Sequence, residues 1–251
     1  MNVGKKTLMR LTLVIPVYME HRRFQESVRR VAAFMDAETE VAVDVVFVDD
    51  GSPDESAAVI ARVIADRGDP NMRLLRYPVN RGKGAAVKTG VLAAEGDLIL
   101  MSDADLSSPL QDWRKLRDAI DAGADIACGS RAVPGAHIGT PPPPLRRILS
   151  RIFNLLVRMA GVHGIRDTQC GFKLFRAGPA KVLFQRLRIQ RFAFDVELIA
   201  LARDLGYRVA EVPVNWDYSG QSTVKVFSSG GRMLADVVLL AVRRLFFGGS
   251  K

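Results

Sequence analysis

Two cysteines, three histidines and an aromatic fraction of 7% leave little room for several chemistries. Cys128 and Cys170 cannot build a disulfide framework or a cysteine-rich metal centre, and a reducing compartment suits them. His21, His137 and His163 are scattered without ligand spacing and read as structural or surface residues. There is no run of about 18 apolar residues, so no ordinary transmembrane helix is expected. The start, "MNVGKKTLMRLTLVIPVY", has a short apolar run interrupted by Pro16 and no small-residue cleavage site, so residues 11–17 read as a first strand rather than a signal peptide. Acids are scarce in the second half. Residues 126–251 hold 19 Lys/Arg against 7 Asp/Glu, net +12, whereas residues 1–125 hold 17 against 20, net −3. Such a surplus expects an anionic partner: nucleic acid, a membrane surface or a phosphorylated substrate. Few aromatics and no recognised nucleic-acid module argue against nucleic acid.

What is present is a large apolar share, 48%, ample for a core, in 251 residues that suit one large domain or one domain with an appendage. The first 130 residues alternate strand and helix. Strand-like runs at 11–17, 43–50, 72–78, 97–105 and 124–130 are short and apolar on both faces, the pattern of parallel strands covered by helices. Helical stretches lie near 22–36, 53–67, 84–95 and 109–122, with Pro53 and Pro109 at expected starts, each after a serine that can cap. This order implies an α/β doubly wound sheet, whose ligands bind at the carboxyl ends of the strands.

Polar residues gather at those ends, in "PVYME", "VDDGS" and "SDADLSS". Asp49, Asp50, Asp103 and Asp105 are therefore expected to converge on one rim. Converging carboxylates repel unless a cation sits between them. A hard divalent ion carried by a phosphate is the natural candidate; the alternative is that the acids cap the following helices. "NRGKGAAVKTG" (80–90) is glycine-rich and basic but fits neither the Walker A spacing nor the dinucleotide fingerprint. It leaves a helix N-terminus with Lys83, which favours anions. Asp167, Asp195 and Glu197 are candidates for positioning a sugar or acting as a base, and Arg131, Arg166, Lys173 and Lys225 for binding phosphate.

The second half breaks the alternation. Residues 133–147 carry four consecutive prolines and read as an irregular loop. Residues 145–160 form an amphipathic helix with Arg147, Arg151, Asn154 and Arg158 on one face and no acid. That composition suits an interfacial helix on an anionic membrane, or equally a helix packed on the domain with solvated arginines. Residues 232–247 read as a second apolar helix, too short and too charged to span a bilayer.

"IPVYMEHRRF", "VVFVDDGSPDES", "NRGKGAAVKTG", "DLILMSDADLSSP", "GSR", "DTQCGFKLF" and "FAFDVELIALARDLGYRVAEVPVNW" occur in that order over roughly residues 10–245. Together they resemble the polyprenyl-phosphate (dolichyl-phosphate) sugar synthases of glycosyltransferase family 2. The resemblance implies a GT-A fold over residues 8–220, with 133–160 as an acceptor loop and helix, and an amphipathic helical tail over 221–251. It implies that Pro16, Val17, Tyr18 and Glu20 hold the base and ribose of a nucleotide sugar. Asp49 or Asp50 would bond the base, and Lys83 would join the nucleotide-sugar site. Asp103 would face the ribose and diphosphate, and Asp105, with Asp103, would hold Mg2+ or Mn2+. Arg131 and Lys173 would face phosphates, Asp167, Gln169, Asp195 and Glu197 would line the sugar and acceptor pocket, and Lys225 would bind acceptor phosphate. Mannosyl relatives often read "DADLQ" where this chain has Ser107, which shifts the expected donor toward UDP-glucose over GDP-mannose. The implied protein works peripherally on the cytoplasmic side of a membrane, attached by its amphipathic helices. Rival readings are a hydroxyl acceptor, which would need Asp167 or Asp195 as a base, and a non-catalytic nucleotide- or membrane-binding protein.

Overall fold

The computed structural model describes residues 8–141, 143–159, 162–217 and 226–247. The strands are β1 (Arg10–Val17), β2 (Ala42–Asp49), β3 (Met72–Arg76), β4 (Leu98–Ser102), β5 (Ile126–Ser130), β6 (His137–Ile138), β7 (Phe172–Arg176), β8 (Val209–Pro213) and β9 (Asn215–Trp216). The helices are α1 (His21–Ala37), α2 (Ser56–Arg67), α3 (Lys83–Ala93), α4 (Trp113–Asp121), α5 (Pro144–Met159), α6 (Ala177–Arg186), α7 (Phe194–Asp204) and α8 (Val226–Phe247).

Seven strands form one sheet in the order β3-β2-β1-β4-β7-β5-β8. The pairings among β1, β2, β3 and β4 are parallel, as is β5 with β8, because helical crossovers return the chain to the same end. The exception is β7, which lies antiparallel between β4 and β5. Its reversal brings its N-terminal end to the rim where the parallel strands end. Ser102 of β4 pairs with Phe172 of β7, so the loop entering β7 lies beside the loop leaving β4. β6 and β9 form a separate two-stranded ribbon.

The apolar runs are buried on both faces, as double helical cover requires. Leu13, Ile15, Phe47 and Leu100 pack on one side with Phe24, Ile60 and Trp113, while Val14, Ile99 and Phe175 pack on the other with Val87, Phe184 and Phe194. A third cluster joins α5, α7 and α8 through Val157, Val196, Ile199, Val237 and Leu240. The helix expected in the tail therefore rests its inner face on the domain.

The expected serine caps are not formed. α2 starts at Ser56, behind Pro53, and the Ser52 and Ser56 hydroxyls instead accept the main-chain amides of Met19 and Glu20. A short 3-10 turn, Leu110–Asp112, precedes α4.

Candidate active site

At the carboxyl rim, the β1 and β2 ends are stitched together. Val17 pairs with Asp49, the Asp50 amide donates to Val17 O, and the two serine contacts hold the following loop. Pro16 and Val17 are buried within β1, so they shape the rim, while Tyr18 is exposed and Glu20 partly so. Met19 lies at φ 57, a left-handed conformation that costs a non-glycine residue about 1 kcal/mol and persists because neighbours hold it.

The expectation that four aspartates converge on a cation is corrected here. Asp49 is fully buried, and its carboxylate accepts the Ser52 amide (3.2 and 3.3 Å) and Arg76 Nε (3.1 Å). Asp50 accepts Arg81 N (2.7 Å), Gly82 N (2.8 Å) and Asn80 Nδ2 (2.8 Å). Burial pushes the Asp50 carboxyl above its ordinary range, opposed by those amides. The glycine-rich loop thus wraps an internal anion instead of leaving all its amides open. Gly82 sits at φ +112 against the Gln190 carbonyl, where a side chain has no room.

Asp103 and Asp105 are placed differently. The Asp103 side chain is 39% exposed and meets Lys83 Nζ at 2.6 Å. Gly171, delivered by β7, lies against the Asp103 carboxylate, and a Cβ there would overlap it. Asp105 is partly exposed and accepts the Ser107 amide at 3.0 Å. Between them and Ser107, Leu106 adopts φ 47 while its side chain is anchored in the core, so burial holds the strained turn that aims Asp105. Burial would lower the Lys83 ammonium, but Asp103 and then Asp195 outweigh it and raise it. Among the described residues no three His, Cys, Asp or Glu gather into a metal cluster. Two hard carboxylates fit a Mg2+ or Mn2+ ion whose remaining ligands are phosphate oxygens and water.

Arg131 follows β5. Its Nε and Nη2 donate to both oxygens of Asp167 (2.7 and 2.8 Å), its amide donates to the same carboxylate, and its guanidinium lies over the Trp216 ring, 5.2 Å from the centroid. Burial alone would raise the Asp167 carboxyl, but Arg131 prevails and holds it below the ordinary range. Glu211 fixes the entry to this turn by accepting the amides of Arg166 and Asp167. Trp216 and Glu211 carry no sequence signal of their own beyond lying in the quoted motif region.

Lys173 differs from the expectation that it faces a phosphate. It is fully enclosed, donating to Thr168 O (3.1 Å), Cys170 O (2.6 Å) and Asp195 Oδ1 (2.6 Å). Burial opposes its charge, yet Asp195 keeps the ammonium charged. Lys173 and Asp195 thereby brace the turn that carries Asp167 and Gln169. Glu197, also buried, accepts the amides of Arg188 and Ile189. Cys128 and Cys170 are free and buried, their thiols pushed up to about 12 by burial. Ser107 Oγ, Thr168 Oγ1 and Gln169 Nε2 are enclosed without a hydrogen-bond partner among the described residues, and a polar ligand would supply one. Arg166 is exposed, and Lys225 lies outside the described residues.

The arrangement puts two partly exposed acids, one ammonium and one fixed guanidinium around a rim with unpaired polar atoms. It suits a ligand with both phosphate and hydroxyl groups.

Comparison with known proteins follows the same line. The model of the family "Glycosyl transferase family 2" matches residues 12–184. A dolichyl-phosphate beta-glucosyltransferase of Trichomonas vaginalis is 38% identical over 241 residues, covering 92% of this chain and 70% of that relative. The Homo sapiens protein of that name is 33% identical, covering 94% of this chain and 76% of the relative. Among solved structures, mannosyl-3-phosphoglycerate synthase from Rubrobacter xylanophilus superposes with TM-score 0.69 at 17% identity, covering 96% of this chain and 75% of that one. Glucosyl-3-phosphoglycerate synthase from Mycobacterium tuberculosis, crystallised with Mn2+, uridine-diphosphate-glucose and glycerol 3-phosphate, superposes with TM-score 0.66 at 16% identity, covering 94% and 80%. These two likenesses concern the fold.

Proposed function

The chain belongs to glycosyltransferase family 2, and from that premise we propose that it transfers glucose from UDP-glucose to a polyprenyl phosphate of the dolichyl class. The observation that carries this reading is the 33–38% identity, over more than nine tenths of the chain, to proteins named dolichyl-phosphate beta-glucosyltransferase. The site chemistry supports it.

An acceptor phosphomonoester has a second pKa of about 6 and is mostly ionised at neutral pH. Its oxygen needs no strong base. It attacks the anomeric carbon as the bond to the diphosphate breaks, UDP leaves with the electron pair, and the configuration inverts. Inversion of an α-linked donor gives a β product, in keeping with the relatives' names. The work left to the protein is orientation and charge stabilisation. Arg131, pinned by Asp167 and Trp216, receives the acceptor phosphate with little ordering cost. Lys83 neutralises negative charge beside Asp103. Tyr18 and Glu20 border the nucleoside end, and the partly exposed Gln169 and Ser107 border the sugar. Asp105 and Asp103 would hold the divalent cation, which when bound offsets the charge of the departing diphosphate. Asp167, engaged by Arg131, acts as a positioning group and not as a base. With a lipid-borne acceptor, the enzyme works peripherally at a membrane, on its cytoplasmic side.

The test is a transfer assay with Mg2+ or Mn2+, vesicles holding polyprenyl phosphate, and radiolabelled UDP-glucose or GDP-mannose in parallel. Label entering the lipid phase from UDP-glucose supports the reading. Label from GDP-mannose alone overturns the donor assignment and the weight given to Ser107. No label from either donor overturns the lipid-phosphate acceptor.

A further inference from the structure

α8 has two unlike faces. Val237 and Leu240 are buried against α5 and α7. On the opposite face Gly231, Leu234, Ala235, Val238, Leu239 and Val242 are all exposed, and Arg243 is exposed at its edge. Leu234, Val238 and Val242 follow at intervals of four and so line one stripe. A helix at a domain surface ordinarily turns charged residues outward, so an outer face that is apolar over three turns is unpartnered among the described residues. α5, packed against α8, adds exposed Ile152 and Leu155 beside exposed Arg158, and carries no acid.

We infer that this face of α8, with Ile152 and Leu155, is the surface by which the protein docks on an anionic bilayer. Charge complementarity favours that occupant. The half of the chain that builds α5 and α8 carries a net +12, and Arg158 and Arg243 flank exposed apolar side chains. Apolar residues entering the headgroup boundary beside arginines that meet anionic headgroups is the composition of an interfacial helix. A second copy of this chain would bring a second net positive charge to the same face. The location also fits the chemistry, resting here on the lipid-phosphate reading above. The inner face of α8 packs on Val196 and Ile199 of α7, whose first turn carries Asp195, bonded to the Lys173 that braces the turn of Asp167, the partner of Arg131. The docked face therefore lies one helix away from where the acceptor phosphate is received. Attachment differs in kind from an arginine-only contact through α5, because apolar insertion persists at high salt whereas headgroup attraction is screened.

The test uses the full chain and co-sedimentation with vesicles of phosphatidylcholine alone or mixed with phosphatidylserine. The variant joins Leu234→Ser, Val238→Ser and Val242→Ser; a single Val238→Asp variant runs in parallel, and circular dichroism and thermal melting check the fold of both. Wild type is expected to bind mixed vesicles and retain part of that binding at 0.5 M salt, an ionic strength at which the screening length is about 4–5 Å. Both variants are expected to bind at least tenfold more weakly. Transfer to long-chain acceptor embedded in vesicles should fall in proportion, while transfer to a water-dispersed short-chain prenyl phosphate stays unchanged. Wild-type binding by both folded variants overturns the inference, as does a wild-type dimer that the variants split while still binding vesicles. Weakened vesicle binding without transfer to either acceptor upholds the docking face and sinks the catalytic reading. Equal transfer by wild type and variants to both acceptors does the reverse.

Discussion

Two pairs of carboxylates close apolar strands on either side of β1, and they share little beyond composition. Asp49 and Asp50 end β2 and are buried, their oxygens taken by main-chain amides, Arg76 and Asn80. Asp103 and Asp105 end β4 and stay partly exposed, the first against Lys83 and the second on a strained turn. What separates the pairs is the length and direction of the chain arriving from elsewhere. A glycine-rich loop 30 residues on lays its main-chain amides over Asp50, whereas Asp103 meets the Lys83 side chain that follows that loop and Gly171, which brings no side chain of its own. One pair holds the rim together; the other is the pair to which the proposed function gives the chemistry.

Substitutions separate these roles. Asp105→Asn is expected to lower kcat about a thousandfold, the scale of removing a charge that acts on the developing transition state, with the melting temperature unchanged; near-normal turnover would merge the two pairs. Asp50→Ala is expected to do the opposite. It leaves the buried amides of Arg81 and Gly82 unpaired, at about 3 kcal/mol, read as a melting point lower by roughly 10 °C, while the protein still folded keeps its turnover. A large loss of kcat in a fully stable Asp50→Ala protein would break the comparison. Lys83→Met should raise the KM for the nucleotide sugar about tenfold with a smaller effect on kcat, measured by initial rates at varied donor. The smallest effect concerns pH. Asp167 is held below the ordinary carboxylate range by Arg131, against the pull of burial. A lowered value means that its stabilising pair is complete above the ordinary carboxylate range and fades only as pH falls through the lowered one. It therefore gives no inflection near neutrality. The acid limb of kcat/KM should follow the acceptor's second ionisation, at about 6, and should move upward with a more basic phosphonate analogue. A limb that ignores the acceptor would restore an enzymic base.

The parallel part of the sheet was legible because each strand is a short apolar run and each run ends in polar residues. The direction of β7 was not, since "FKLF" pairs equally well either way and local pattern carries no orientation. The unlike fates of Asp50 and Asp103 were also hidden. Their partners are main-chain amides and a glycine whose approach depends on tertiary folding, and "VDDGS" and "SDADLSS" state only that carboxylates are present. Lys173 illustrates the same limit: a lysine in a polar motif reads as a surface cation, yet here it is enclosed by two carbonyls and Asp195. In α8 the sequence shows a helix apolar on nearly every side, and only packing reveals which side is left uncovered.

The reversed strand also sets an order of assembly. Among the described residues β5 bonds to no strand but β7 and β8, and β4 has β1 on one side and β7 on the other. A ribosome emits β4 and β5 well before residues 172–176. During that interval the growing chain carries one half-paired strand and one wholly unpaired strand, both apolar, and such open edges invite association with other chains. Insertion of β7 closes the open edge of β4 and one edge of β5, and in the same event seats Gly171 against Asp103, while the other edge of β5 waits for β8. Edge burial and site assembly are thus coupled at β4: a nascent chain whose β4 edge is still open also lacks Gly171 against Asp103.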